Sequence, residues 1–325
     1  MAGKSKTDSH EVVKRLGLDS LDDLIGANLR KVDLNDADLS GLNLSGVDLR
    51  GAELRNTILR GTIFSGADLS RVDLSGANLQ SADLYEADLH DAILKNANLT
   101  DADLHGADLN RADLHEANLL GADLTEANLR GANLRGAVID ALTNLDSKWQ
   151  LVREIVSEGA ENGDLSGSTL TEANLSDANL SGANFSGANL LGVNLSRTNL
   201  KEANLSAACL LGADLHGANL LGANLLGTDL FGVNLQGVNM QGVNLYGADL
   251  SRADLSHANL QDTNLSSTNF RGTDLSEANL LGADLSGAYL GEAIVEGTRF
   301  GRNVGLSNVV IEDLKNRNAV FEGDE

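Results

Sequence analysis

The sequence holds 325 residues, 42% of them hydrophobic but only 3% aromatic, with no proline and a single cysteine. Its net charge of −23 argues for solubility and against direct binding to nucleic acid or anionic lipid. One cysteine, Cys209, excludes an internal disulfide and suits a reducing compartment.

Residues 1–26 are not repetitive and read as an N-terminal helical cap. Met1-Ala2-Gly3-Lys4-Ser5-Lys6 has no apolar run behind it, which predicts no signal peptide, and no window approaches the roughly 18 apolar residues of a membrane span. The expected location is therefore cytoplasmic. Ser9 can cap a short helix through Glu11, Val12, Val13 and Leu16, ended by Gly17, and a second turn covers Ser20 to Ile25.

Residues 27–141 form a first repeat block, in which a central apolar residue recurs every five residues from Ala27-Asn28-Leu29 to Ala137-Val138-Ile139. Residues 142–162 break the pattern as a helical insert. There Ser147 or Asp146 can cap a helix with Trp149, Val152, Ile155 and Val156 on one face, stopped by Gly159. The fives resume one residue out of phase in a second block, residues 163–302, ending at Phe300. Residues 303–325 read as a C-terminal helical cap, with a helix from Ser307 to Lys315 and a last strand-like piece at Ala319-Val320-Phe321.

A period of five is neither helical nor an unbroken strand. Three residues can make a short strand whose first and third side chains point one way and whose second points the other. The remaining two can turn, with Gly in the second place supplying positive φ for a type II turn. Four corners close a square coil of twenty residues. Stacked coils pair their strands, the small residue and Leu fill the interior, and the intervening Asp or Asn faces water. Missing proline fits, because nearly every N–H is then needed for a ladder.

Units such as Ala218-Asn219-Leu220-Leu221-Gly222 resemble the A(D/N)LxG units of the pentapeptide repeat family, in its cyanobacterial type. That resemblance implies an all-β right-handed quadrilateral parallel β-helix with short capping and insert helices. It also implies action by binding proteins, either as a DNA-mimicking topoisomerase inhibitor or as a regulatory scaffold. The phase slip leaves open whether the blocks form one nearly continuous solenoid or two.

No catalytic constellation assembles. The histidines, His10, His90, His105, His115, His216 and His257, lack ligand spacing, and the glycines never form a phosphate-binding motif. No cofactor and no metal are expected, and the chain reads as a non-enzyme. Cys209 stands where Asp or Asn is usual, which would expose it, and reads as a tolerated substitution, with a redox role as the alternative.

Residues twenty apart should stack, so the surface sorts into columns. In the first block Arg30, Lys31, Arg50, Arg71, Arg111, Arg130, Arg55, Lys95 and Arg135 fall on two adjacent sides, and only Arg60 lies elsewhere. Another side carries Asp83, Glu86, Asp103, Asp123 and Glu126 without a base. These bases either make a two-sided surface or merely offset neighbouring acids. In the second block Leu191, Leu211 and Phe231 share one exposed column, with Leu221, Leu226 and Tyr246 on adjoining corners. Between Leu205 and Ala248 the only charges are Asp214 and Asp229. This is the candidate protein-binding or self-association surface. Asn179, Asn199, Asn219, Asn239, Asn259 and Asn279 should form an amide ladder. The leading reading is a non-enzymatic regulatory scaffold with an unknown protein partner or a homodimer contact through the apolar patch. Alternatives are a gyrase inhibitor acting as a DNA mimic, which sparse central Phe (Phe64, Phe185, Phe270, Phe300) disfavours, and a purely structural or self-associating solenoid.

Overall fold

A computed structural model describes residues 13–14 and 17–323. The chain divides into two compact units, residues 1–153 and 154–325. Each is a right-handed quadrilateral β-helix in which the residue before every central Leu forms a parallel bridge with the residue one coil on. Asn28 pairs with Asp48, Asp33 with Glu53 and Asp38 with Ile58, so one coil takes twenty residues.

The pentapeptide can use all five of its N–H groups. In the unit centred on Leu54, Ala52 N–H closes a turn on the Leu49 carbonyl at 2.9 Å and Glu53 N–H donates down to Val32 at 2.9 Å. Leu54 N–H donates up to Asp73 at 2.7 Å, and Asn56 N–H to Ser75 at 3.0 Å. The fifth donor, at the first turn position, needs a side chain. Here the Arg55 N–H reaches the Asn35 Oδ1 at 2.7 Å, but the common solution is the Asp or Asn two residues earlier. Ser75 N–H reaches Asp73 Oδ1 at 3.0 Å and Leu120 N–H reaches Asn118 Oδ1 at 3.2 Å. This Asx turn corrects the expectation that these carboxylates and amides simply face water. The second turn position has positive φ whether it is Gly41 (69°) or Arg71 (57°).

The interior is a column of Leu with four Phe (Phe64, Phe185, Phe270, Phe300), all buried. Where Thr replaces the small residue its hydroxyl is also buried and donates to a Leu carbonyl, as in Thr62 to Leu39 at 2.9 Å and Thr273 to Leu250 at 2.7 Å.

In the first unit, Val13 and Lys14 are helical, and Gly17 (φ 71°) turns the chain with Leu18 N–H on Val13 O at 3.1 Å. The expected helix positions Ser9, Glu11, Val12 and Leu16 lie outside the described residues. A 3-10 turn, Asp22–Leu24, buries Leu24. The one-residue slip is absorbed before the insert helix. Asn118 still pairs with Val138, but Asp123 pairs with Asn144, twenty-one residues on. Asp140 holds this irregular corner by accepting the N–H groups of Gly121, Leu142 and Thr143 at 3.0–3.1 Å. Helix α1, Ser147–Glu158, begins with Lys148 N–H on the Asp146 carboxylate at 2.8 Å, and the boundary between the units falls within it.

The second unit runs from the Asp164–Asn184 bridge to Asp284–Val304. Strand β1, Arg299–Phe300, then pairs in parallel with β2, Val320–Phe321, and Phe321 stacks on Phe300 at 5.2 Å. Between them helix α2, Asn308–Asn316, is capped by Ser307. Arg317 closes the end by donating to the Leu290 and Ala293 carbonyls at 2.9–3.1 Å while pairing with Asp313 at 2.7 Å.

Candidate protein-binding surface

The first turn position of each pentapeptide projects from a corner, since its N–H is tied back by the Asx residue and its neighbour turns with positive φ. At Leu191, Leu226, Phe231 and Tyr246 the N–H donates to Asn189, Asn224, Asp229 and Asn244 at 3.1–3.3 Å. Glycines follow each of them, and around Gly212, Gly227, Gly232 and Gly247 an added Cβ would meet nothing within 4 Å, whereas at Gly192 it would meet the Glu172 side chain at 3.3 Å. The corners are thus left open, and the five side chains Leu191, Leu211, Leu226, Phe231 and Tyr246 are 37–57% exposed.

Leu191, Leu211 and Phe231 occupy successive levels of one corner, where Gly192 N–H donates to Leu211 O at 3.0 Å. Leu226 and Tyr246 occupy the preceding corner. The strand side between these corners carries Asn189, Cys209, Asp229 and Asp249 in one ladder, with Cys209 half-buried at its middle. Leu221 is not part of this group. It sits at the corner beyond Leu226, diagonal to the Leu191 column, and is half-buried. Asp229 and Asp249 lie on the strands between the two corners, and further charge lies at the margins of the patch. Glu172 precedes Leu191 in the same corner, Arg252 and Arg271 follow Phe231, and the Arg252 guanidinium lies 5.7 Å from the Phe231 ring centre.

The basic columns of the first unit are bound to stacked acids. Arg50 bridges Asp48 and Asp68 at 2.7 and 3.0 Å, Arg55 meets Asp73 at 2.6 Å, Lys95 meets Asp113 at 3.1 Å, and Arg111 meets Asp91 at 2.9 Å. Burial alone would raise the Asp73 carboxyl, but hydrogen bonds from Ser75 and the Arg55 guanidinium hold it below its ordinary range. These arginines therefore offset neighbouring carboxylates rather than offer free cations. On the acidic side Tyr85 stacks on His105 at 5.5 Å, and no base intervenes among Asp83, Asp103 and Asp123. In the second unit the asparagine ladder is continuous from Asn179 to Asn219 and from Asn239 to Asn279, at 2.9–3.5 Å.

Among the described residues no cluster of three His, Cys, Asp or Glu side chains could hold a metal ion. His90 contacts Asp88 at 2.7 Å and His115 contacts the Arg135 carbonyl at 3.1 Å, each within its own corner. No described helix is long and apolar enough to cross a membrane.

The model of the family described as pentapeptide repeats matches successive segments from 23–61 to 102–139 and from 164–201 to 263–302. The chain belongs to the pentapeptide repeat family. No curated protein sequence matches this pentapeptide repeat protein. Among solved structures it is similar to HetL, described as involved in heterocyst differentiation regulation in the cyanobacterium Nostoc sp. strain PCC 7120. Identity is 26% over 90% of this chain and 96% of that one, with a TM-score of 0.28. Rfr23 from the cyanobacterium Cyanothece 51142 is 34% identical over 38% of this chain and 90% of its own, at a TM-score of 0.25. QnrB1, described as a plasmid-mediated fluoroquinolone resistance protein, is 16% identical over 90% of this chain and 99% of its own, at 0.27. Membership rests on the repeat match rather than on these superpositions.

Proposed function

We propose that this chain is a non-enzymatic cytoplasmic scaffold that binds a protein through the side of the second unit carrying Leu191, Leu211, Phe231, Leu226 and Tyr246. The observation that carries the reading is five large apolar side chains exposed together, four of them within residues 205–248, where Asp214 and Asp229 are the only acidic or basic residues apart from His216. Water around them is released when a partner covers them, and soluble proteins rarely leave such a patch open without use. A rigid ladder holds these side chains in place, so little entropy is lost on binding. Its role is regulation by holding a partner, not chemistry.

The test is retention of proteins from a host extract by the immobilised chain, compared with the Leu211→Ser/Leu226→Ser/Phe231→Ser variant. The variant should keep its far-UV spectrum and lose the retained proteins. Equal retention by both would overturn the reading. A DNA mimic is the second reading, favoured by the base-free column Asp83, Asp103 and Asp123. Inhibition of gyrase supercoiling by the purified chain, lost on Asp→Asn change at those three positions, would replace the first reading with this one.

A further inference from the structure

We propose that the partner covering this side is a second copy of the chain, placed antiparallel about a two-fold axis at the level of Leu211 and Cys209. This rests on the protein-binding reading above and names its occupant. The argument is charge complementarity. Along one corner of the second unit the first turn position reads Thr171, Leu191, Leu211, Phe231, Ser251, and the second turn position carries Glu172 at the Thr171 level and Arg252 at the Ser251 level, with glycines between. A two-fold axis along the strand direction at the Leu211 level reverses that order. It sets Leu211 against the second copy's Leu211, Leu191 against its Phe231, and Glu172 against its Arg252. Acid meets base at both ends of an apolar centre.

The strand side agrees. Its order of Thr169, Asn189, Cys209, Asp229, Asp249 places Asp229 opposite the second copy's Asn189, Asp249 opposite its Thr169, and Cys209 opposite its Cys209. A parallel pair would set Asp229 on Asp229 and Asp249 on Asp249, a like-charge contact that opposes association. A chain of net charge −23 repels its copy over most of its surface, whereas this side carries only Asp229 and Asp249 beyond the Glu172 and Arg252 that the two-fold pairs. Five side chains at 37–57% exposure offer on the order of 400 Å² of surface. A standard interface takes about 800 Å² per partner. Neutral Ser186, Ser206, Asn189 and Thr169 on the same side supply a polar rim for the remainder.

Sedimentation of the purified full chain at micromolar concentration should show a dimer. Leu211→Ser with Phe231→Ser should raise its Kd about 100-fold without changing the melting curve of the dissociated chain. Glu172→Arg or Arg252→Glu alone should weaken it about 10-fold at low salt, and the two together should restore it to within about 3-fold. A short bismaleimide should join Cys209 to Cys209, whereas oxidation should not, because packed sheets lie about 10 Å apart and a disulfide needs Cα atoms within about 7 Å. Cys209→Ser should abolish the cross-link and leave sedimentation unchanged. A monomeric wild type, an absent cross-link, or a double swap that stays weak overturns the proposal. A monomer that still retains another protein in a patch-dependent way refutes the dimer alone. Retention by the triple serine variant refutes the binding reading itself.

Discussion

A single polar side chain per pentapeptide is structural before it is a surface feature. Asn98 accepts the Thr100 N–H at 3.2 Å and its hydroxyl at 2.6 Å, and donates to Asn78 at 3.3 Å. Ile93 occupies the equivalent place one unit earlier and offers Lys95 N–H no acceptor. Asn98→Ala should therefore cost about 1–2 kcal/mol, and Ile93→Ala less, although Ile is the more hydrophobic residue. Urea denaturation of both variants checks the order, and a costlier Ile93→Ala would refute the Asx account. A second residue-level test lies at Ala207, whose φ is 54° with no side chain able to support that conformation. Ala207→Gly should stabilise the second unit by up to about 1 kcal/mol, read as a raised denaturation midpoint.

Ends matter more than middles for the elements, because every coil but the last has a next coil whose N–H groups donate to its carbonyls. Arg317 takes that place at the C-terminal end of the second unit by donating to the Leu290 and Ala293 carbonyls. Arg317→Met keeps the stem and removes these donors. It should lower stability by roughly 2–3 kcal/mol and raise hydrogen exchange in residues 285–300, with the first unit unaffected. Exchange spread evenly over both units would contradict a local closing role. How much of this was legible varied with its cause. The central Leu every five residues declared the coil length, because periodicity is a local property of the chain. The Asx bond was also encoded, in the Asp or Asn two residues before each exposed turn residue, but reading that position as solvent-facing hid it. The pairing of Arg50 with Asp48 and Asp68 depends on which long side chains reach across levels, which spacing alone leaves undecided. Leu221 has a place in the repeat like that of the apolar patch residues, but the order of corners separates it from Leu191 and Phe231. The slip at Asp140 showed in the phase, and its site showed only in the hydrogen bonds.

For the whole molecule, two electrostatic effects compete as pH changes. Hydrogen bonds, from Thr125 to Asp123, Gly121 to Asp140, Ser166 to Asp164 and Ser286 to Asp284, hold these carboxyls below their ordinary range. Their folded values lie below their unfolded ones, so the stability they contribute is fully present above the unfolded value of about 3.9 and is lost as pH falls through the folded values. Against this, the net charge of −23 strains the compact state at neutral pH, and protonation relieves it as pH approaches the isoelectric point near 4.5. The relief acts first on descending from pH 7, and the loss acts later because the bound carboxyls resist protonation. Melting temperature should therefore rise or hold between pH 7 and about 5, then fall below about 4. Added salt screens the repulsion and should raise the melting temperature at pH 7, with a smaller effect near the isoelectric point. A melting temperature that climbs steadily down to pH 3 would mean that repulsion outweighs the hydrogen-bonded carboxylates. One that falls from pH 7 onward would mean that the charge of −23 costs the fold nothing.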